Sequence, residues 1–416
     1  MKSIEGQLIL EGEVRDGRVE IDETTGLITR VAPGERTGQA DIAMDALVFP
    51  GFGDLHVHAR EDAGGTQAYK EDFLTCSEAA IAGGVTFMVD MPNNPVAPVD
   101  EERYAAKAKL ATRVLVDTFL YAGIGPETMP LKRKVPYKIF MGPSVGDLFF
   151  TSRAQIEKTL ERYKGETVNF HSEEPEILEA HKGAATHELR RPPEAETAAI
   201  EFAIYLIEKF GLNGKICHLS TAAGLELVRA AKARGVALTA EVTPHHLYFD
   251  DNMLNDENRL WLQMNPPLRT PADRAALVAG LREGAIDYLA TDHAPHTKEE
   301  KMKGISGVPH LDTYGAFCSW LLAKQDFTPL QVARAASVNP SIFVKPYLSA
   351  AQGQGFGKIA PEYVGSLTVL DPNAPAVIQE SELKTKCGWS PFTGVEFPGQ
   401  VRATIIKGKI YARPEH

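Results

Sequence analysis

A chain of 416 residues, 44% hydrophobic and 24% charged, is globular, and is long enough for one α/β barrel with a smaller attachment or for two domains of ordinary size. Its formal net charge of −11 argues against nucleic acid or anionic lipid as the main partner, since both recruit basic footprints. The N-terminus MKSIEGQLILEGEVRDG has no apolar h-region, no apolar run approaches membrane-spanning length, and the four cysteines form no CxxC pair, so buried, reduced thiols and a cytoplasmic location are expected.

In chain order, GQLILEGEV, GRVEID and GLITRVA read as short strands separated by Gly/Asp turns. The texture then changes to apolar strands alternating with amphipathic helices. Eight strand candidates follow: LVFPGFGDLHVH, TFMVDM, VLVDTFLY, YKIFMG, TVNFHS, KICHLS, LTAEVT and IDYLATD, with helices over 99–112, 152–163, 194–210, 221–234 and 272–283. Eight such units predict an α/β fold, a (β/α)8 TIM-type barrel spanning 49–357. GSLTVLD, RATIIKG and KIYARP return to the strand texture. Neither terminal set alone makes a stable sheet, so 1–48 and 358–416 are expected to join as one small β-sandwich domain. The glycine pair of AIAGGVT closes a helix before the second barrel strand. The segment GPSVGDLFFTS is either a mobile lid over 143–152 or, through Phe149 and Phe150, part of the core.

The chemistry gathers at strand ends. In Asp54-Leu-His56-Val-His58-Ala-Arg60 the two histidines, at i and i+2 on a strand, face the same way and form either a divalent-metal pair or a packing pair. His171 sits near the end of TVNFHS, His218 near the end of KICHLS, and Asp292 closes IDYLATD just before His293 and His296. All strand C-termini of a (β/α)8 barrel open on one face, so these groups converge from strands one, five, six and eight. Lys138 of YKIFMG is the oddity, because a bare ammonium aimed at a cationic site is repelled and costly to desolvate. It either carries CO2 as a carbamate able to bridge two metals or pairs with a nearby carboxylate. His245 and His246 read as structural, while His181, His187 and His310 read as solvated or capping groups without a converging partner.

These motifs resemble the dihydroorotases of the amidohydrolase superfamily over nearly the whole chain, on DLHVHAR, YKEDFLTCSEAAIAGGVT, DMPNNP, ICHLST, AEVTPHHL, MNPPLR, ATDHAPHTKEEK and SPFTGVEFPGQV. The resemblance implies a zinc-dependent, reversible cyclisation of N-carbamoyl-L-aspartate to L-dihydroorotate in pyrimidine biosynthesis. It places His56, His58 and Asp292 on one zinc, His171 and His218 on a second, and a carboxylated Lys138 between them. Some relatives lack this lysine. Asp292 would carry the proton between attacking water and leaving nitrogen. Arg60 offers a planar fork suited to the substrate carboxylate, or a structural salt bridge to Glu61 or Glu71. The resemblance adds Asn93 and His296 on that carboxylate and Asn265 on the ring, a homodimer, and a possible transcarbamoylase partner. Two stretches depart from the family pattern where substrate should sit, REDAGGTQAYK and GVPHLDTYG. The alternatives are another cyclic amidohydrolase (hydantoinase, dihydropyrimidinase or allantoinase), against which Arg60 speaks, and an inactive amidohydrolase-fold scaffold, against which the retained ligand positions speak.

Overall fold

The computed structural model describes residues 1–142 and 148–413. Four strands open the chain: β1 (Lys2–Ile9), β2 (Val14–Ile21), β3 (Ile28–Pro33) and β4 (Ile42–Pro50). The barrel strands follow as β5 (Phe52–Val57), β6 (Val85–Asp90), β7 (Asp117–Leu120) continued past Tyr121 as β8 (Ala122–Ile124), β9 (Tyr137–Phe140), β10 (Thr167–His171), β11 (Asn213–Ile216), β12 (Leu238–Val242) and β13 (Tyr288–Leu289). The chain closes with β14 (Leu367–Asp371), the short pair β15 (Ala376–Val377) and β16 (Glu396–Phe397), then β17 (Gln400–Ile406) and β18 (Lys409–Ala412).

The two termini share one seven-stranded sheet, ordered β18-β17-β14-β4-β1-β2-β3, because β14 pairs antiparallel with β4. Successive side chains of a strand point to opposite faces. On β4 this sends Val48 into a core private to the terminal sheet, with Ile4, Leu8, Val369 and Ile405, and sends Leu47 and Phe49 into the main core of the barrel. The sheet is thereby fastened to the barrel.

β5, β6 and β7 pair in parallel, as do β8 through β13. The ring is closed by the parallel bridge between Val57 and His293, with the His58 amide donating to the His293 carbonyl at 2.8 Å. The result is a (β/α)8 barrel. The helices lie close to where periodicity put them, at Glu101–Leu110, Arg153–Leu160, Pro193–Phe210, Ala222–Ala233 and Pro271–Glu283. A further helix, Phe73–Ala82, starts on an Asp72 capping box and ends at Gly83 and Gly84, the latter at φ +82°.

LVFPGFGDLHVH, expected as one strand, is two strands in two sheets, broken at Pro50–Gly51. A Cβ on Gly51 would lie 2.2 Å from Thr86 Oγ1, so only glycine passes this crossing. The expected lid cannot be followed throughout, since 143–147 lie outside the described residues. Of its phenylalanines, Phe150 is wholly buried and Phe149 is 41% exposed. Cys76, Cys217 and Cys318 are buried free thiols, and Cys387 is partly exposed. Among the described residues, no helix is long and apolar enough to cross a membrane.

Candidate active site

The first barrel strand delivers His56 and His58 to its C-terminal end, and Asp54 fixes their height. The Asp54 carboxylate accepts from the His56 amide at 3.0 Å and, across the closing seam, from the Thr291 amide at 3.1 Å and the Thr291 hydroxyl. Strand one is thus stapled to the segment that carries Asp292. Both imidazoles present Nε2 to one oxygen, Asp292 Oδ1, at 3.1 Å for His56 and 3.0 Å for His58. The three ligand atoms all lie within 4.8 Å of one another.

Glu241 on β12 accepts from His56 Nδ1, which fixes the ring proton on that nitrogen and leaves the Nε2 lone pair facing Asp292. Burial, reinforced by the neighbouring Lys138 charge, holds His56 far below its usual value, and burial with Arg60 does the same for His58. Neutral nitrogen lone pairs and a carboxylate oxygen converging on one point suit a divalent cation. Burial also pushes the Asp292 carboxyl up to about 7, with the Lys138 charge opposing.

A second group stands beside the first. His171 Nδ1 faces His218 Nε2 at 2.9 Å, and the His56 and His218 rings are 5.3 Å apart. The other nitrogen of His171 is held by Glu173 at 2.9 Å. Burial would raise Glu173, but the Arg191 guanidinium and His171 outweigh it and hold the carboxyl below its usual range. Lys138 on β9 is fully buried with its Nζ 2.8 Å from the Cys217 thiol. No carboxylate among the described residues forms an ion pair with it, so the carboxylate pairing considered for it from the sequence is not what is found.

Backbone strain marks the same place. Among the described residues, six other than glycine adopt positive φ, and three of them are Arg60 (+61°), His218 (+33°) and Asp292 (+50°). Such conformations cost on the order of 1–3 kcal/mol each and persist where the surroundings enforce them.

Arg60 Nε donates to the Pro295 carbonyl at 3.3 Å, and its Nη2 lies 3.2 Å from His296 Nε2. It pairs with neither Glu61, which takes Arg113, nor Glu71, which is engaged by Thr385 and His293. The other ring nitrogen, His296 Nδ1, faces both Glu300 at 3.1 Å and the Lys70 ammonium at 3.3 Å. Asn93 lies against His58, and its Oδ1 is buried without a partner. Asn265 Oδ1 is likewise buried and unpartnered, on a segment tied to His246 through the Pro266 carbonyl at 3.1 Å; among the described residues no hydrogen bond joins it to the imidazole cluster.

His246 is a structural residue held between Thr243 and Pro266. His310 differs from expectation: it is buried and does have a converging partner, His245 Nδ1 at 3.0 Å. His187 also has a partner, the Met264 carbonyl at 2.9 Å. Glu241, Glu173, Cys217 and Lys215 were missed from the sequence. Their signal was polar residues inside otherwise apolar, fully buried strands or at their ends.

The amidohydrolase family model matches residues 47–411. A dihydroorotase of Pyrococcus furiosus is 31% identical over 409 residues, covering 98% of this chain and 91% of that one. A dihydroorotase of Thermococcus kodakarensis is 32% identical, covering 98% and 93%. The solved L-hydantoinase of Arthrobacter aurescens superposes with a TM-score of 0.88 at 22% identity, covering 100% of this chain and 96% of that one, a likeness of fold. With nearly nine-tenths of its length inside the family model and its imidazoles and carboxylate gathered at the rim of the matching barrel, the chain belongs to the amidohydrolase family.

Proposed function

We propose that the chain is a dihydroorotase, interconverting L-dihydroorotate and N-carbamoyl-L-aspartate. The observation that carries this reading is the contact of Arg60 with His296 at 3.2 Å, beside the His56, His58 and Asp292 cluster. A cyclic amide bearing a ring carboxylate needs a fixed cation next to the hydrolytic centre, whereas a neutral ureide does not. The two dihydroorotase relatives, matched over 98% of the chain, support the same substrate.

His56, His58 and Asp292 would hold one zinc ion, and His171 and His218 a second. Lys138, carboxylated on Nζ by CO2, would supply the bridging anion, a role that fits its burial with no carboxylate partner among the described residues. When bound, the metals lower the pKa of a water and polarise the ring carbonyl. The chain's own groups do the rest. Arg60, through its guanidinium fork, with Asn93 and His296, orients the substrate by its carboxylate. Asn265 presents its amide to the ring. Asp292 turns Oδ1 to the imidazoles, leaving Oδ2 to take a proton from the attacking water and return it to the departing ring nitrogen; ring closure reverses these roles. The acidic chain acts as a binder of this small anion through local arginine, in the cytoplasm and as a homodimer, with 1–48 and 358–416 forming the attached β domain. A panel of dihydroorotate, hydantoin, dihydrouracil and allantoin tests the substrate. Dihydroorotate should turn over fastest; preference for a neutral ureide would replace this reading with that of a hydantoinase or allantoinase.

A further inference from the structure

Lys215 lies on β11, wholly buried, and its ammonium closes on Glu241 Oε2. The rings of Tyr121, Tyr288 and Phe343 surround the same nitrogen, with centroids 5.7, 5.9 and 5.4 Å away. The other oxygen, Glu241 Oε1, accepts from His56 Nδ1 and from the His218 amide at 3.2 Å. One carboxylate therefore orients a ring from barrel strand one and a strained backbone from barrel strand six. Burying an ion pair strips water from both ions before its attraction is counted, and apolar side chains usually fill such barrel interiors. No step of the proposed hydrolysis uses Lys215. Its position has a consequence at the ligands: with Nδ1–H committed to Glu241, His56 offers Nε2 to the point shared with His58 and Asp292. The ligand atoms of His56, Cys217 and Glu241 also lie within 4.8 Å of one another; the Lys215 ammonium pairs with Glu241, while the Cys217 thiol meets the Lys138 ammonium at 2.8 Å.

We propose that Lys215 is a positioning residue: its ammonium holds Glu241 and, through Glu241, orients His56 and His218 toward the metal site. The proposal rests on the reading of His56 and His218 as metal ligands. The first test needs no variant at the pair. Imidazole 15N spectra of the metal-free full chain, with His56 assigned by His56→Gln, should show the Nδ1–H tautomer; the Nε2–H tautomer overturns the proposal. The second test titrates Zn2+ against a chelator for wild type, Lys215→Met, Glu241→Gln and the double variant. Lys215→Met should weaken zinc binding about 10- to 100-fold, and lower kcat while KM for dihydroorotate stays near wild type. The double variant should bind zinc no more weakly than Lys215→Met, because the unpaired buried carboxylate is gone. Wild-type zinc affinity in Lys215→Met, or single losses that multiply in the double variant, overturns the proposal. Should Lys215→Met not fold, the double variant carries the test, with the same loss expected and wild-type affinity contradicting it. A wild-type chain that binds no zinc ends the reading of the metal site itself. A zinc-loaded, active wild type beside an unaffected Lys215→Met ends only the role of Lys215.

Discussion

Asp292 faces two imidazoles with one oxygen, and burial lifts its carboxyl to about 7; the proposed function asks this side chain both to hold metal and to carry the proton. Asp292→Asn keeps the shape and removes both functions. The variant should fold as wild type and lose at least about 100-fold in turnover; a nearly wild-type rate would contradict the assignment. Lys138→Ala removes the buried amine beside Cys217 and should lose metal and activity together, with partial rescue by acetate or propionate. Full metal occupancy and normal turnover would remove Lys138 from the site. Arg60→Lys exchanges a planar fork for a point charge, so KM for dihydroorotate should rise far more than metal content falls. Equal losses in both would make Arg60 structural. At this scale the sequence was legible where strand-end position sufficed, as for His56, His58 and Asp292. It was silent on Glu241 and Lys215, because a polar residue within LTAEVT or at the start of KICHLS looks the same whether it faces solvent or the barrel interior. His310 was misjudged for a related reason: its partner His245 is distant in sequence and meets it only through the fold.

Between elements, the crossing from β4 to β5 is where the terminal sheet hands the chain to the barrel. Gly53 is pressed against Phe87, whose Cζ lies 2.0 Å from where a Cβ would be. Gly53→Ala must displace a buried ring and should destabilise by about 1–3 kcal/mol in denaturant unfolding; unchanged stability would show that the ring has room to move. The same crossing explains why LVFPGFGDLHVH was read as one strand. Fully buried parallel strands give continuous apolar runs with no alternation to mark their limits, and only Pro50 and Gly51 hinted at the break. The long amphipathic helices, with a 3.6-residue period and clear caps, were placed to within a few residues.

Across the whole molecule, the terminal sheet holds its loop through Glu5. This buried carboxylate accepts from the Thr37 amide at 2.9 Å, the Thr37 hydroxyl at 2.7 Å, the Gly38 amide at 2.9 Å and Arg18 at 3.0 Å. The Thr37 and Gly38 bonds hold its carboxyl down to about 2, against an ordinary 4.5. A folded-state value below the unfolded one stabilises fully above 4.5, and the contribution disappears as pH falls toward 2. Glu5→Gln should therefore melt below wild type at neutral pH and converge with it toward pH 2; a gap independent of pH would contradict this. The joining of both termini in one sheet was legible because each set of strands is too small to stand alone. The closed barrel rim was legible because eight βα units admit few other arrangements.

The central claim is that these imidazoles and carboxylates hold divalent metal that the hydrolysis requires. Metal content and dihydroorotate hydrolysis should be measured on one sample as purified, after chelation and after return of Zn2+. Activity is predicted to vanish with the metal and to return with it; full dihydroorotate hydrolysis by metal-stripped protein would contradict the account.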